Sequence, residues 1–496
     1  MRTFVFTDAK SNKFWHIDLH GDRFTVTFGK LGSKGQTQLK EFPDAAAARK
    51  AHDKLVAEKL AKGYVETTPA PAAAIAPPPA APLQRSLEAA LAEDPDDLAA
   101  HSAYADYLAE QGDPRGEFIQ VQLALEDAGR SAGERKQLRT REAALLSQHA
   151  RRWLGDVGRF LVGDWSGEDK PYHYQFRRGW LDRLRTLPFP EAVVAALARS
   201  PEARLLRRLE VVYDMAYHPF DFDQWVEGPN AALKEGEEPS DLDGAVWTED
   251  VDILSPLLES PHLGNLRVFK FGFSDSGEQP AHSTMVNLFE HYTAGQVIGL
   301  LGKCPRLAEL YLNTHLAGVE QLFALPSLNN LRLLQYYYGM DQHTRNRTPQ
   351  GAYPLARLAN NPSLRNLTTL RLHPGREAMI GLDDFDAVLR SPHLPALTHL
   401  QVHTTNFGDE GARRLIESGA LRRLKALDIG YGALTDDGAR LLAACADLKH
   451  LDRLDVSRNG LTPSGIAALR ATGVEVVADD QHDPDEEISL FEVDFE

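Results

Sequence analysis

The spacing of apolar positions changes along this chain, and each change marks a new element. At residues 23–28 (RFTVTF) apolar and polar side chains alternate with period two, which predicts a strand. Residues 14–19 (FWHIDL) supply its hairpin partner, turned at His20, Gly21 and Asp22. Gly29, Gly32 and Gly35 then recur every third residue, with Lys30 and Lys34 between them. From Asp44, a helix N-cap after Pro43, the period lengthens to that of a helix. Ala48, Ala51, Leu55, Val56 and Leu60 share one face, and Gly63 provides the stop. A small α+β unit is expected over residues 1–66.

Residues 67–82 (TTPAPAAAIAPPPAAP) are charge-free and rich in proline. Proline removes backbone donors and fixes φ, so a semi-rigid spacer is expected there. Helical spacing returns over residues 83–200. Segments near 87–93, 98–111, 116–127 and 134–149 are punctuated by Asp94, Pro95, Asp96 and Asp97, then by Gly112, Asp113 and Pro114. A helical module is the reading.

Residues 201–485 carry an internal repeat. LTHLQV, LKALDI and LDRLDV start at Leu397, Leu424 and Leu451, 27 residues apart each time. A glycine follows each, at Gly411, Gly438 and Gly465, at the same interval. Earlier copies are expected near Leu206, Leu266, Leu307, Leu328 and Leu367. One strand and one helix per unit predict an α/β solenoid, because a lone repeat cannot bury its own leucines. The ladder position holds asparagine at Asn459, while Gly432, Thr405 and His315 stand at its equivalents. Insertions interrupt the early copies at about 218–250, 274–291 and 341–353. Residues 486–496 form an acidic tail.

Composition narrows the class. With 496 residues, 43% hydrophobic and 25% charged, the chain is expected to be a soluble multidomain protein. Its N-terminal residues show no signal-peptide core and no run reaches the length of a membrane span, so no membrane partner is expected. Two cysteines cannot build a disulfide framework, and a cytoplasmic setting is the default. The net charge of −17 is uneven. Residues 1–66 carry 12 Lys+Arg against 8 Asp+Glu, whereas residues 201–496 carry 26 against 44. The basic unit is therefore the N-terminal one.

The stretch FWHIDLHGDRFTVTFGKLGSKGQTQLKEFPDAAAARKAHDKLVAEKLAKGYVE resembles a WGR domain over about 65 residues. The family's naming tripeptide, Trp-Gly-Arg, stands here as Phe28, Gly29 and Lys30. In poly(ADP-ribose) polymerases such a domain helps hold a DNA end, so the resemblance implies contact with a nucleic-acid backbone. Phe28, Gly29, Lys30, Gly32, Lys34 and Gly35 are its candidate residues, with lysines and glycine amides offered to phosphate. Solvated lysines on a glycine-rich hairpin are the alternative. Residues 104–118 (YADYLAEQGDPRGEF) resemble a short helical module found beside leucine-rich repeats in bacteria, and LDRLDVSRNGLTPSGIAALR resembles a ribonuclease-inhibitor-type repeat.

No GxSxG, HExxH, CxxC or phosphate-binding loop occurs. No catalytic residue, metal or cofactor is assigned, and Cys304 and Cys445 read as small buried hydrophobes. The favoured reading is a non-enzymatic interaction scaffold whose repeats bind a protein, with the WGR-like unit tethered to it. The alternative is a nucleic-acid-sensing regulator. Acidity of the repeats points to a basic or mixed-charge partner on the concave strand face, at Asp428 and Asp455. Trp225 and Trp247, in the acidic insertion, either bind that partner or fold back to cap the early repeats.

Overall fold

A computed structural model describes residues 2–8, 11–30, 36–62, 64–66, 82–162, 172–186, 191–213, 254–273, 293–313, 316, 318–337, 354–373, 380–403 and 405–482. Two compact units emerge, residues 1–85 and 86–496.

In the first unit β1 (Arg2–Asp8), β2 (Ser11–His20), β3 (Arg23–Lys30), β4 (Gln36–Glu41) and β5 (Val65–Glu66) form an antiparallel sheet in the order β4-β3-β2-β1-β5. The expected hairpin is β2–β3, closed by Gly21 and Asp22, with Gly21 at φ 54°. Helix α1 (Ala45–Ala61) packs on one face. Asp44 caps it, its carboxylate accepting from Ala47 N at 2.7 Å. Phe4, Trp15, Ile17, Phe24, Val26 and Val56 fill the core between helix and sheet.

The second unit begins within helix α2 (Pro82–Glu93) and continues through α3 (Leu98–Glu110), α4 (Pro114–Glu126), α5 (Ala132–Trp153) and α6 (Gly158–Leu161). Pro82, expected in the spacer, is the first residue of α2, where a missing N–H costs nothing. Asp97 and Asp113 cap α3 and α4, and Ser131 with Glu134 forms a capping box on α5. Around the turn between α3 and α4, Asp113 serves as the cap and Asp106 accepts from Gln120 Nε2 at 3.0 Å. Asp113 also meets Arg152 at 2.9 Å, and Glu117 meets Arg141 at 2.6 Å. Arg115 lies inside, its guanidinium 4.3 Å from the centre of the Trp180 ring. Strands β6 (Tyr172–Arg177) and β7 (Trp180–Thr186) form a hairpin whose two turn residues, Arg178 and Gly179, both take positive φ, 48° and 82°. Helix α7 (Glu191–Arg199) follows.

The repeat strands are β8 (Arg208–Tyr213), β9 (Val268–Phe273), β10 (Glu309–Asn313), β11 (Leu333–Tyr337), β12 (Thr369–His373), β13 (His399–Val402), β14 (Ala426–Asp428), β15 (Arg453–Asp455) and β16 (Glu475–Val477). They pair in parallel in chain order, and β6–β7 extends the same sheet at its start, giving an 11-stranded sheet. Leu209, Phe269, Leu310, Leu334, Leu370, Leu400, Leu427 and Leu454 stand in one register and are buried. This register corrects one expectation: the fourth copy starts at Leu331, not Leu328. Leu328 occupies the buried site one turn earlier, equivalent to Leu421 and Leu448.

The boundary expected between residues 200 and 201 does not separate two bodies. β7 pairs directly with β8, and one apolar core runs from Phe118 to Val474. A solenoid end would otherwise expose that core, and the helices with β6–β7 cover it. The recurring glycines also acquire a cause. The Asp409 carboxylate accepts from Thr435 N at 3.0 Å and Oγ1 at 2.7 Å, and Asp436 does the same for Thr462 at 2.9 and 2.7 Å. A Cβ on Gly438 or Gly465 would collide with those two carboxylates. Trp225, Trp247, Gly32, Lys34, Gly35, the three insertions and the acidic tail lie outside the described residues.

Candidate interaction surfaces

At the end of β3, Phe28 pairs with Trp15 of β2 and with Gln36 of β4, while Gly29 pairs with Phe14 and Lys30 with Lys13. Two lysine positions are therefore in register across the two strands. Phe28 falls on the helix side of the sheet. It is half-buried against the unit's core and is not a free stacking ring. Lys59 of α1 brings its ammonium 5.2 Å from the Trp15 ring and 5.0 Å from the Tyr64 ring. Burial, then the neighbouring Lys62, holds its pKa below the ordinary lysine value.

In the solenoid, leucines and valines point into the core, and alternate strand residues form columns on the opposite sheet face. One column reads Glu210, Lys270, Tyr311, Gln335, Arg371, Gln401, Asp428 and Asp455 in register. Its charge is mixed along the early strands and acidic at the last two. The next column brings rings together. Tyr337 and His373 lie 5.3 Å apart, His373 and His403 5.4 Å, and His403 and Tyr431 4.9 Å. Arg458 continues the row, 5.0 Å from the Tyr431 ring. The spacing is set by the strands, which stack one ring per repeat. Gln401 ties it together by donating to the Tyr337 hydroxyl at 2.9 Å.

Asp428 and Asp455 lie on this face, half-buried and internally bonded. Asp428 meets His403 Nε2 at 2.9 Å and accepts from Gly430 N at 3.0 Å. Asp455 accepts from Ser457 N at 3.0 Å and lies 3.4 Å from Arg453. Each carboxylate thus shapes the chain as it leaves its strand. Burial opposes the charged form of Asp428, but the His403 hydrogen bond and charge outweigh it, so its pKa lies below the usual aspartate range. A depressed carboxylate pKa adds stability above the unfolded value, near pH 4, that disappears as pH falls through the folded value. Asp428→Asn is therefore expected to lower stability at pH 6 and flatten the acid limb below pH 4, read as urea midpoints across that range. An unchanged acid limb would show that the His403 contact stabilises nothing.

Of the histidines at positions 373, 393, 399 and 403, His373 and His403 enter the ring row. Tyr337 and Tyr431, which no sequence motif marks, complete it. The signal was available in the register: Tyr337, His373 and His403 each follow the last apolar residue of their strand, where Tyr336, Leu372 and Val402 are buried. Tyr431 escapes that rule because it sits at φ 52°, beyond the end of β14. Among the described residues, no helix is long and apolar enough to cross a membrane.

Comparison with known proteins finds a family match in each of the two units. Residues 1–71 match the WGR domain family, and residues 421–443 and 447–469 match a leucine-rich repeat family. Over 66 residues the chain is 53% identical to Protein YehF of Escherichia coli, a match covering 13% of this chain and 24% of that protein. Over 65 residues it is 48% identical to the uncharacterized protein YfeS of the same organism, covering 13% and 27%. The chain thus spans about a quarter of the length of each. Among solved structures, a Bacteroides fragilis protein aligns at 19% identity over 98% of this chain and 97% of its own, with a TM-score of 0.38. A Listeria monocytogenes internalin aligns at 14% identity over 60% and 86%, with a TM-score of 0.27.

Proposed function

We propose that this chain, a WGR domain joined to leucine-rich repeats, is a non-enzymatic scaffold whose concave repeat face binds a protein of mixed charge. The observation that carries this reading is the row of Tyr337, His373, His403 and Tyr431, set at or just beyond the ends of successive strands and flanked by Arg458. Rigid aromatic side chains with polar tips give large contact area at low entropic cost, which is why they dominate protein interfaces. Charge along the column, mixed at first and acidic at the end, favours a partner that is itself mixed. The test compares wild type with Tyr431→Ala and with His403→Ala in affinity capture, followed by titration of the captured protein. Loss of a central aromatic is expected to cost about 2 kcal/mol, roughly 30-fold in Kd. Equal binding by both variants rules out this face.

A second reading rests on the N-terminal unit, with its excess of lysine and arginine and the opposed Lys13 and Lys30 positions. It is a nucleic-acid contact through phosphate and not through base stacking, since Phe28 is engaged with the core. Fluorescence anisotropy of labelled duplex and single strands against residues 1–85 tests it. Binding should be indifferent to sequence, and Lys13→Ala with Lys30→Ala should flatten the log–log salt slope by about 1.5. No binding at low salt removes this reading.

A further inference from the structure

At the start of the sheet, the turn between α2 and α3 carries Asp96 to the residues that precede β8 and β9. Its carboxylate lies among four guanidinium groups: Arg267 at 2.8 Å, Arg207 at 3.3 Å, Arg177 at 3.4 Å and Arg178 at 3.8 Å. An open cleft of about 550 Å³ adjoins them, lined also by Arg183, Arg208 and Gln175. Opposite charge is present but committed. Glu126 takes a fork from Arg178 at 2.7 and 2.9 Å and a third bond from Arg177 at 3.2 Å. Asp182 pairs with Arg207 and lies 3.5 Å from Arg183, and Glu210 pairs with Arg208. Glu142 accepts from Gln122, and Glu309 from the Tyr311 hydroxyl.

Asp96 is thus within 3.8 Å of four guanidinium groups; Arg177 and Arg178 also bond Glu126, Arg207 also bonds Asp182, and Arg267, 42% exposed, has Asp96 as its one carboxylate partner among the described residues. We propose that this arginine cleft binds a phosphoryl group, and that Asp96 is the internal anion it displaces. A second carboxylate would gain nothing over Asp96, which is already held in place by the chain. A phosphoryl group near neutral pH carries up to two charges and three acceptor oxygens, so it satisfies more of the guanidinium donors at once. Arginine suits this role because its planar fork pairs with two oxygens of one group. The cleft lies apart from the ring row, at the early end of the same sheet face, where Arg208, Val268 and Glu309 stand in register.

The inference predicts an unusual sign. Removing a surface acid ordinarily changes anion affinity little at physiological salt, because exposed charges are screened. Here Asp96→Asn removes the competitor while keeping a hydrogen-bonding side chain, so affinity should rise at least tenfold. Arg267→Gln should lower it at least tenfold. Calorimetric titration of the full chain uses two probes, inorganic pyrophosphate and a phosphoserine peptide of scrambled sequence. Binding of both to wild type, tighter in Asp96→Asn and weaker in Arg267→Gln, supports the proposal. Preference for pyrophosphate assigns a free anion, and preference for the peptide assigns a modified protein. Should Asp96→Asn fail to fold, wild type and Arg267→Gln are compared by the rise in Tm with pyrophosphate, expected in wild type and reduced in the variant. No saturable binding by wild type, or equal affinity in wild type and the folded variants, overturns it.

Discussion

Asn459→Ala should loosen the last repeats by about 2–4 kcal/mol, a large value for one side chain. The residue is fully buried. Its Oδ1 accepts from Leu434 N at 2.8 Å, and its Nδ2 lies 3.0, 3.1 and 3.2 Å from the carbonyl oxygens of Ile429, Val456 and Ser457. Alanine leaves those backbone groups unsatisfied where water cannot enter easily, and the penalty exceeds the value of the bonds alone. Asn330 is the contrast. It is exposed and donates to Pro305 O at 2.6 Å, and water can replace that bond, so Asn330→Ala should cost under about 1 kcal/mol. In a solenoid each repeat leans on its neighbours, so the loss should be local. Amide exchange should accelerate in β14, β15 and β16 with little change in β8 to β10. Unchanged exchange over residues 426–477 would show that the side chain is dispensable.

How much of this was legible depends on how regular the sequence is. Where copies repeat every 27 residues, as at Leu397, Leu424 and Leu451, period alone located the strands. Where insertions stretch the interval, the pattern became ambiguous by one turn. Leu328 and Leu331 both begin plausible copies, and only pairing of Leu334 with Leu310 decides between them. The extension of the sheet by β6 and β7 was not visible, because FRRGWL carries no repeat signature. Its place depends on contacts with residues far away, including Arg178 with Glu126. The same holds for both functional surfaces. A row of rings is a property of register between strands, and four arginines around Asp96 come from three separated segments. The Asp94–Asp97 run reads in sequence as a helix-capping turn, which it is for Asp97. Nothing local distinguishes Asp96 from its neighbours.

Gly116→Ala is expected to destabilise the helical module although alanine is the better helix former. A Cβ at this position would lie 2.5 Å from Ala105 O and 2.7 Å from Ala109 N, both backbone atoms of α3. Neither can rotate away, so α3 and α4 must separate. The helix-propensity gain is at most about 1 kcal/mol. Forcing closely packed elements apart costs about 1–3 kcal/mol, more here because backbone must shift. The net sign is unfavourable, and Gly116→Val should be worse. Gly133 in the first turn of α5 provides the opposite case. It is exposed with nothing within 4 Å of a Cβ, so Gly133→Ala should raise stability by a few tenths to about 1 kcal/mol. The displacement should also reach the arginine cleft. Asp96 precedes α3 and Glu126 ends α4, so moving the helices apart changes the spacing of two carboxylates that hold the same arginines. Urea midpoints of the two variants give the stability signs, and protease susceptibility of residues 94–97 reports the cleft. A Gly116→Ala protein as stable as wild type would mean that α3 and α4 are not in backbone contact.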